Sequence, residues 1–291
     1  MDAAMNEEIF APHEELELDL LLEAIFRHHH YDFRGYSRGS LHRRLSRAQQ
    51  RHGCASLSQL QHLLLRDPAV FADLMGFLTI QVSEMFRDPA YFRALREQVI
   101  PHLRTYPSLK VWIAGCANGE EFYSLAILFR EEGLEDRTIF YCTYISPAAL
   151  KKAEAGIYDL DRIRQFTENH RLAGGRTSLS TYYTAAYGAA VFDKSLRRRA
   201  VFAEHNLASD QVFAEAQLVS SRNVLIYFDR ALQDRALGLF GDSLVRGGFL
   251  GLGSKETLRF SRYSDAFDDF DEHEKIYRRN LRDMRALDHA A

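Results

Sequence analysis

The chain has 291 residues, 46% of them hydrophobic and 26% charged, an ordinary globular mix that excludes wholesale disorder and collagen-like repeats. With 37 basic against 40 acidic side chains the formal charge is −3, which removes any global electrostatic case for a nucleic-acid binder. Cys54, Cys116 and Cys142 make no C-x-x-C pair, so reduced thiols are expected, and no apolar run approaches the ~20 residues a membrane span needs.

Met1 to Leu20 carries seven acids and no Lys or Arg, the opposite of a targeting peptide, and a cytoplasmic protein is the expectation. Residues 1–14 read as an acidic tail and 15–88 as a helical domain. From Arg27 to Arg66 eight arginines face a single acid, Asp32, with leucines at helical spacing between them. Short amphipathic helices with a basic outer face fit this stretch. The face suits an acidic partner, and a solvated surface is the bland alternative. His28-His29-His30 invites a metal, but adjacent histidines on a helix do not converge, so a structural role is preferred and no metal is expected.

Near Leu109 the period changes. Lys110 to Ala114 is a short apolar run that stops at Gly115, as a buried parallel strand does. A helix follows over Glu120–Glu132, then a β-rich run over Thr138–Cys142 and a helix opened by Ser146-Pro147. Further strands are expected at Ala200–Phe202, Gln217–Val219 and Phe249–Leu252, with a long helix over Arg230–Val245 between the last two. The alternation implies an α/β fold with a mostly parallel sheet covered on both faces, spanning residues 89–278. Between about 157 and 199 it lapses, and a small antiparallel insertion with a tyrosine cluster (Tyr182, Tyr183, Tyr187) is expected at the sheet's edge. Residues 279–291 read as a tail.

Ligands of such sheets bind beyond the carboxyl ends of the strands. The first strand runs into Gly115-Cys116-Ala117-Asn118-Gly119-Glu120-Glu121, where two glycines let backbone approach a ligand and a helix N-terminus follows. Glu120 and Glu121 argue against phosphate and suit a cationic or hydroxyl-rich ligand. That they only complement the helix dipole stands as the other reading.

The run Val111 to Ala126 resembles the nucleotide loop of the CheR family, S-adenosylmethionine-dependent methyltransferases that esterify glutamates on bacterial chemoreceptors. Ser221-Arg222-Asn223-Val224-Leu225-Ile226-Tyr227-Phe228 is similar to that family's C-R-N-V-L-I-Y-F, Val82 to Asp88 to its V-T-x-F-F-R-D, and Asn206-Leu207 to its Asn-Leu pair. The resemblance implies a class I (Rossmann-like) methyltransferase sheet, an N-terminal all-helical domain and a β-subdomain insertion. The implied product is S-adenosylhomocysteine, the implied partner the acidic helical region of a chemoreceptor, and nucleic acid and membrane insertion are not implied. By the same resemblance Gln81, Ser83, Arg87, Ala114, Gly115, Glu121, Tyr144, Ile145, Asn206, Leu207, Ser221, Arg222 and Asn223 would hold the cofactor. Ser83 and Arg87 would reach over from the helical domain, Arg87 facing the acceptor carboxylate and Tyr227 standing near the methyl group. On their own, Arg87 reads as a surface charge and Tyr227 as a core aromatic.

One departure matters. The end of the second strand, where such folds place an acid on the ribose hydroxyls, reads T-D-I in the family and Thr143-Tyr144-Ile145 here. Losing a charge-assisted bond costs roughly 1.5–3 kcal/mol, or about one to two orders of magnitude in affinity. A non-catalytic relative that keeps the fold for binding is therefore the alternative to an active glutamate methyltransferase. Milder changes are Gln81 for asparagine, Ser221 for cysteine and Asn118 for Thr or Ser.

Overall fold

A computed structural model describes residues 11–79 and 83–282. Gln81 lies outside the described residues, as do 1–10 of the acidic tail and everything after 282. The chain divides into two compact units, Met1–Ile80 with Tyr227–Gln233, and Gln81–Ile226 with Asp234–Ala291.

The first unit is helical: α1 (Pro12–His29), α2 (Arg38–His52), α3 (Leu57–Leu64) and α4 (Pro68–Leu78). Leu18, Leu21, Leu22 and Ile25 bury one stripe of α1 at the i, i+3, i+4, i+7 spacing, and Leu41, Leu45 and Ala48 do the same for α2. Ser56 and Asp67 cap α3 and α4, accepting from the backbone N–H of Gln59 and Ala69. The basic face is smaller than its arginine count. Arg44 is buried, donating to the Leu78 carbonyl at 2.6 Å, and Arg27, Arg34 and Arg38 pair with Glu23, Asp32 and Asp19. Arg43 and Arg47 are exposed. His29 stacks on Phe71 with ring centroids 3.7 Å apart, and its pKa is lowered, first by burial.

The second unit opens with α5 (Pro89–Ala94), which continues through a π-helical turn over Leu95–Val99 into α6 (Ile100–Leu103). Then come β1 (Leu109–Ala114), α7 (Glu120–Glu131), β2 (Thr138–Tyr144), α8 (Pro147–Ala155), β3 (Ile157–Asp159), α9 (Leu160–Leu172), β4 (Tyr183–Ala186), β5 (Ala189–Phe192), β6 (Ala200–Glu204) and β7 (Ala216–Ser221). The helix α10 (Arg230–Ser243) starts in the first unit and ends in the second, before β8 (Leu244–Leu252), β9 (Phe267–Asp271) and β10 (Ile276–Arg279). The main sheet has the order β6-β2-β1-β7-β8-β10-β9, parallel from β6 through β8 and antiparallel at the β10-β9 edge. It is the mostly parallel α/β sheet expected from the alternation.

Aromatic rings fill both layers. Phe122 and Phe129 of α7 pack edge-on against Phe140 of β2, while Trp112 of β1 meets Phe240 of α10 on the other face. Each such fully buried ring contributes about 1.5–3 kcal/mol by leaving water.

Two expectations change. α10 ends at Ser243, because Leu244 already pairs with Ala216 and starts a nine-residue strand whose left-handed Gly247 (φ +78°) no helix accommodates. Beyond it the β9-β10 hairpin closes the antiparallel edge of the sheet. The insertion is a separate three-stranded sheet, β3-β5-β4, carrying α9, whose buried Ile163, Phe166 and His170 lie at helical spacing. Its tyrosines do not cluster: Tyr182 is buried and Tyr187 is fully exposed at the hairpin tip.

Candidate functional site

The carboxyl ends of β1 and β7 carry a chain of buried polar groups. Ser220 Oγ donates to Glu121 Oε1 at 2.5 Å and lies 3.0 Å from Tyr91 Oη. The Tyr91 ring fits because residue 251 of β8 is glycine: a Cβ there would stand 2.0 Å from the phenol oxygen. Burial pushes the Glu121 pKa up; the charge of Arg222, the Ser220 hydrogen bond and the charge of Arg87 draw it back down, while Glu256 adds to the rise. The result is a carboxylate with one oxygen fixed by a serine and cations on its flank, suited to a cationic ligand group.

The two acids of the loop have different fates. Glu120 is fully buried, with Oε1 2.9 Å from Arg162 Nη1 of α9, so it joins the insertion to the loop. Gly115 and Gly119 also serve packing. Both have positive φ, and a Cβ would sit 2.4 Å from Val224 Cγ2 at Gly115 and 2.9 Å from Ala153 Cβ at Gly119. Neighbouring side chains thus require glycine at both positions. The loop is pinned by the Thr143 carbonyl, which accepts from the N–H of Gly115 (2.9 Å) and Cys116 (3.0 Å). Ala114 and Ile145 are buried beside it.

Residues 83–88 form a strap held at nearly every position. Arg162 donates to the Ser83 carbonyl, Asn169 to Met85 at 3.0 Å, and Ser124 Oγ accepts from Phe86 N–H at 2.7 Å. Arg222 donates to the Arg87 carbonyl at 3.0 Å and to Asp88 Oδ2 at 2.7 Å. Phe86 and Asp88 sit at positive φ, a strained shape these anchors maintain. Ser83 and Arg87 therefore belong to the α/β unit, which also supplies the residues that anchor the strap, and not to the helical one. Arg222 lies 4.1 Å from the Tyr91 ring centroid, and its buried Nε has no partner among the described residues.

Asn223 is held at φ 60° with its N–H on Glu256 Oε2 at 2.9 Å, and Glu256 also takes the N–H of Gly253 and Ile226. Ser221 is fully buried, and its Oγ has no partner among the described residues. Asn206 forms an Asx turn, accepting from Ala208 N–H at 3.0 Å, and Leu207 is buried. Tyr144 ends β2, partly buried against the core. Tyr227 groups with the helical unit, where its ring faces the Arg44 guanidinium at 4.7 Å and its carbonyl accepts from Ser37. The cation beside that ring is thus an arginine of the chain itself.

Tyr91, Ser220, Arg162 and Glu256 were not legible as site residues, because their partners lie far off in sequence, 129 residues for Tyr91 and Ser220. The same holds for the cluster that fastens the insertion. Glu131 and Glu132 are met by Arg96, presented by the π turn, and by Arg176, with His170 on Glu131 and Arg104 on Glu132. Burial alone raises the Glu131 pKa, but the His170 hydrogen bond and the Arg96 charge outweigh it and take the carboxyl down to about 2.

Residues 81–275 match the family described as CheR methyltransferase, SAM binding domain, and residues 16–79 match its all-alpha domain. The chain belongs to the CheR methyltransferase family. A relative from Pseudomonas putida, "Putative methyltransferase Cher3", is 55% identical over 91% of this chain and 97% of its own length. A "Chemotaxis protein methyltransferase" from Listeria innocua is 34% identical over 67% of this chain and 72% of its own. A solved TehB-like SAM-dependent methyltransferase from Corynebacterium glutamicum is 13% identical, with a TM-score of 0.36 over 65% of this chain and 85% of its own. The cofactor of the CheR domain is S-adenosylmethionine. The residues present fit it at one end, where Glu121 suits the cationic methionine moiety and Ser221 Oγ is a buried polar atom awaiting a partner. At the other end no acid closes β2. Among the described residues no helix is long and apolar enough to cross a membrane.

Proposed function

We propose that the chain transfers a methyl group to glutamate carboxylates of a chemoreceptor-type protein. When bound, S-adenosylmethionine supplies a methyl on a sulfonium, which the acceptor carboxylate takes by in-line displacement, leaving an ester and a neutral thioether with no proton to move. A glutamate with pKa near ~4.3 is already anionic at neutral pH, so no side chain need serve as general base. The chain's task is to align and to dry the reactants, worth roughly 7–11 kcal/mol. Glu121, fixed by Ser220, would hold the cationic end of the donor, and Ser221 would add a hydrogen bond. Arg87, whose charge acts on Glu121, would orient the acceptor carboxylate through its guanidinium. Tyr227 is retained in this reading as an aromatic near the reacting methyl.

The observation that carries the reading is the buried Tyr91–Ser220–Glu121 chain at the carboxyl ends of β1 and β7. For the partner, Arg43 and Arg47 on α2 are the exposed cations an acidic helical surface would meet. The test has two parts. Calorimetry with S-adenosylhomocysteine should give saturable binding, and radiolabelled methyl should appear on a receptor cytoplasmic fragment in an alkali-labile ester. No binding at millimolar ligand would abandon the enzyme reading. Binding with no ester formed on any acidic receptor fragment would favour the second reading, a non-catalytic CheR relative, which Tyr144 in the acid's place supports.

A further inference from the structure

The carboxylate missing from β2 has a neighbour. β6 runs parallel to β2 with Phe140 opposite Ala200, Cys142 opposite Phe202 and Tyr144 opposite Glu204. His205 N–H donates to the Tyr144 carbonyl at 3.2 Å, so the register holds to the last residue of both strands. Residues paired in a parallel ladder point to the same face, and adjacent strands lie about 4.8 Å apart. That face is the one bearing α7, since Phe202, two residues before Glu204, has its ring centroid 5.3 Å from that of Phe122. Glu204 is exposed, at the final position of an edge strand. It is followed at once by the turn at Asn206, whose N–H is held by Asp210 at 2.9 Å.

Asp210, in the loop after β6, has both carboxylate oxygens turned onto Asn206 and Ser209, and the remaining acids along this edge stand at other strands. Glu121 follows β1 and is joined to Ser220 of β7, and Glu256 follows β8 and closes the 223–226 loop. Only one acid shares a ladder position with Tyr144. Its side chain has one methylene more than the aspartate it would replace, which lengthens its reach from a strand one place further out.

We propose that Glu204 supplies the carboxylate that accepts from the ribose hydroxyls of the cofactor, the hydrogen-bonding function having moved one strand sideways when Tyr144 took the place of the acid. The proposal rests on the methyltransferase reading and names one of its binding residues. It also accounts for how a chain with Tyr144 keeps the buried apparatus around Glu121.

The test uses the full chain and calorimetry with two probes, S-adenosylhomocysteine and its 2′-deoxy analogue. The wild type should bind the first more tightly. Glu204→Gln should lose about 10- to 100-fold toward S-adenosylhomocysteine, the range expected for charge-assisted hydrogen bonds, and clearly less toward the 2′-deoxy analogue, which keeps only the 3′-hydroxyl as a donor. Because Glu204 is exposed, its thermal midpoint should match the wild type. Glu204→Asp should fall between, and Glu204→Gln with Tyr144→Asp should recover the loss. Equal losses toward both probes, or none, overturns the proposal and leaves the methyltransferase reading standing. If the wild type binds neither probe, both fall together.

Discussion

The two halves of the strand-end edge are built to different standards. At β1 and β7 the polar groups are buried, chained and braced from behind. Glu121 is on Ser220, Ser220 is beside Tyr91, Tyr91 is under Arg222, and Arg222 is locked to the strap at Arg87 and Asp88. At β2 and β6 the corresponding positions are a partly buried phenol and an exposed carboxylate on an edge strand. A buried network tolerates no single exchange, because each partner left behind is an unsatisfied polar group. An exposed position can change residue type at small cost to the fold. The difference teaches where substitution is cheapest for the fold: at the exposed rim rather than in the buried network.

The sharpest way to break that contrast is to cut the brace. Arg222→Ala leaves a part-exposed Asp88 and the Arg87 carbonyl without their partner beside a buried ring, and should cost about 1.5–3 kcal/mol, the range for hydrogen bonds to a charged group. Chemical denaturation measures it. A loss under 1 kcal/mol would mean the strap is held without the arginine. Next comes Glu121→Gln, which keeps the shape and removes the charge. Affinity for S-adenosylhomocysteine should fall by roughly 10- to 100-fold. The pH dependence gives an independent check of sign. Burial raises the Glu121 pKa, and the ionised form is the one that holds a cation. Wild-type affinity should therefore be full at high pH and decline as pH falls through a value above the usual glutamate range, whereas the glutamine variant should show no such decline.

The sequence made the strap and the glycine loop legible because their chemistry lies in consecutive residues, Ser83 to Asp88 and Gly115 to Glu121. The alternation of strands and helices likewise yields the parallel sheet, since a buried strand and an amphipathic helix each leave a local period. What joins these pieces leaves no local trace. Ser220 sits 99 residues from Glu121, and Arg162 comes from the insertion to neutralise Glu120. The cluster at Glu131 and Glu132 draws arginines from the π turn after α5 and from the loop beyond α9, and a histidine from α9 itself. Glu120 and Glu121 part company for a related reason: neighbours in sequence on a helix point about 100° apart, here toward Arg162 and Ser220.

Gly251→Ala probes the same half of the edge by crowding. The added methyl meets the Tyr91 phenol at 2.0 Å, a contact only a shift of the ring relieves. Overpacking of this kind costs about 1–3 kcal/mol. The shift would pull Tyr91 from Ser220, so affinity for S-adenosylhomocysteine should drop severalfold in step with stability. Stability lost with affinity unchanged would show that Glu121 keeps its position without the tyrosine.

The smallest effect is expected at the other half. Tyr144→Asp restores the acid at the end of β2, and in a site with no ribose contact at all it should improve affinity by about 10- to 100-fold. With Glu204 already one strand away, the two carboxylates compete for the same hydroxyls and repel each other across a distance of about 4.8 Å. The gain should then be tenfold or less, and it should grow when Glu204 is glutamine. Calorimetry on the two single variants and the double variant measures this coupling directly. A full gain that ignores the state of Glu204 would mean the rim at β2 lacks a ribose acceptor, and that the two halves differ in having a partner for the cofactor at one end only.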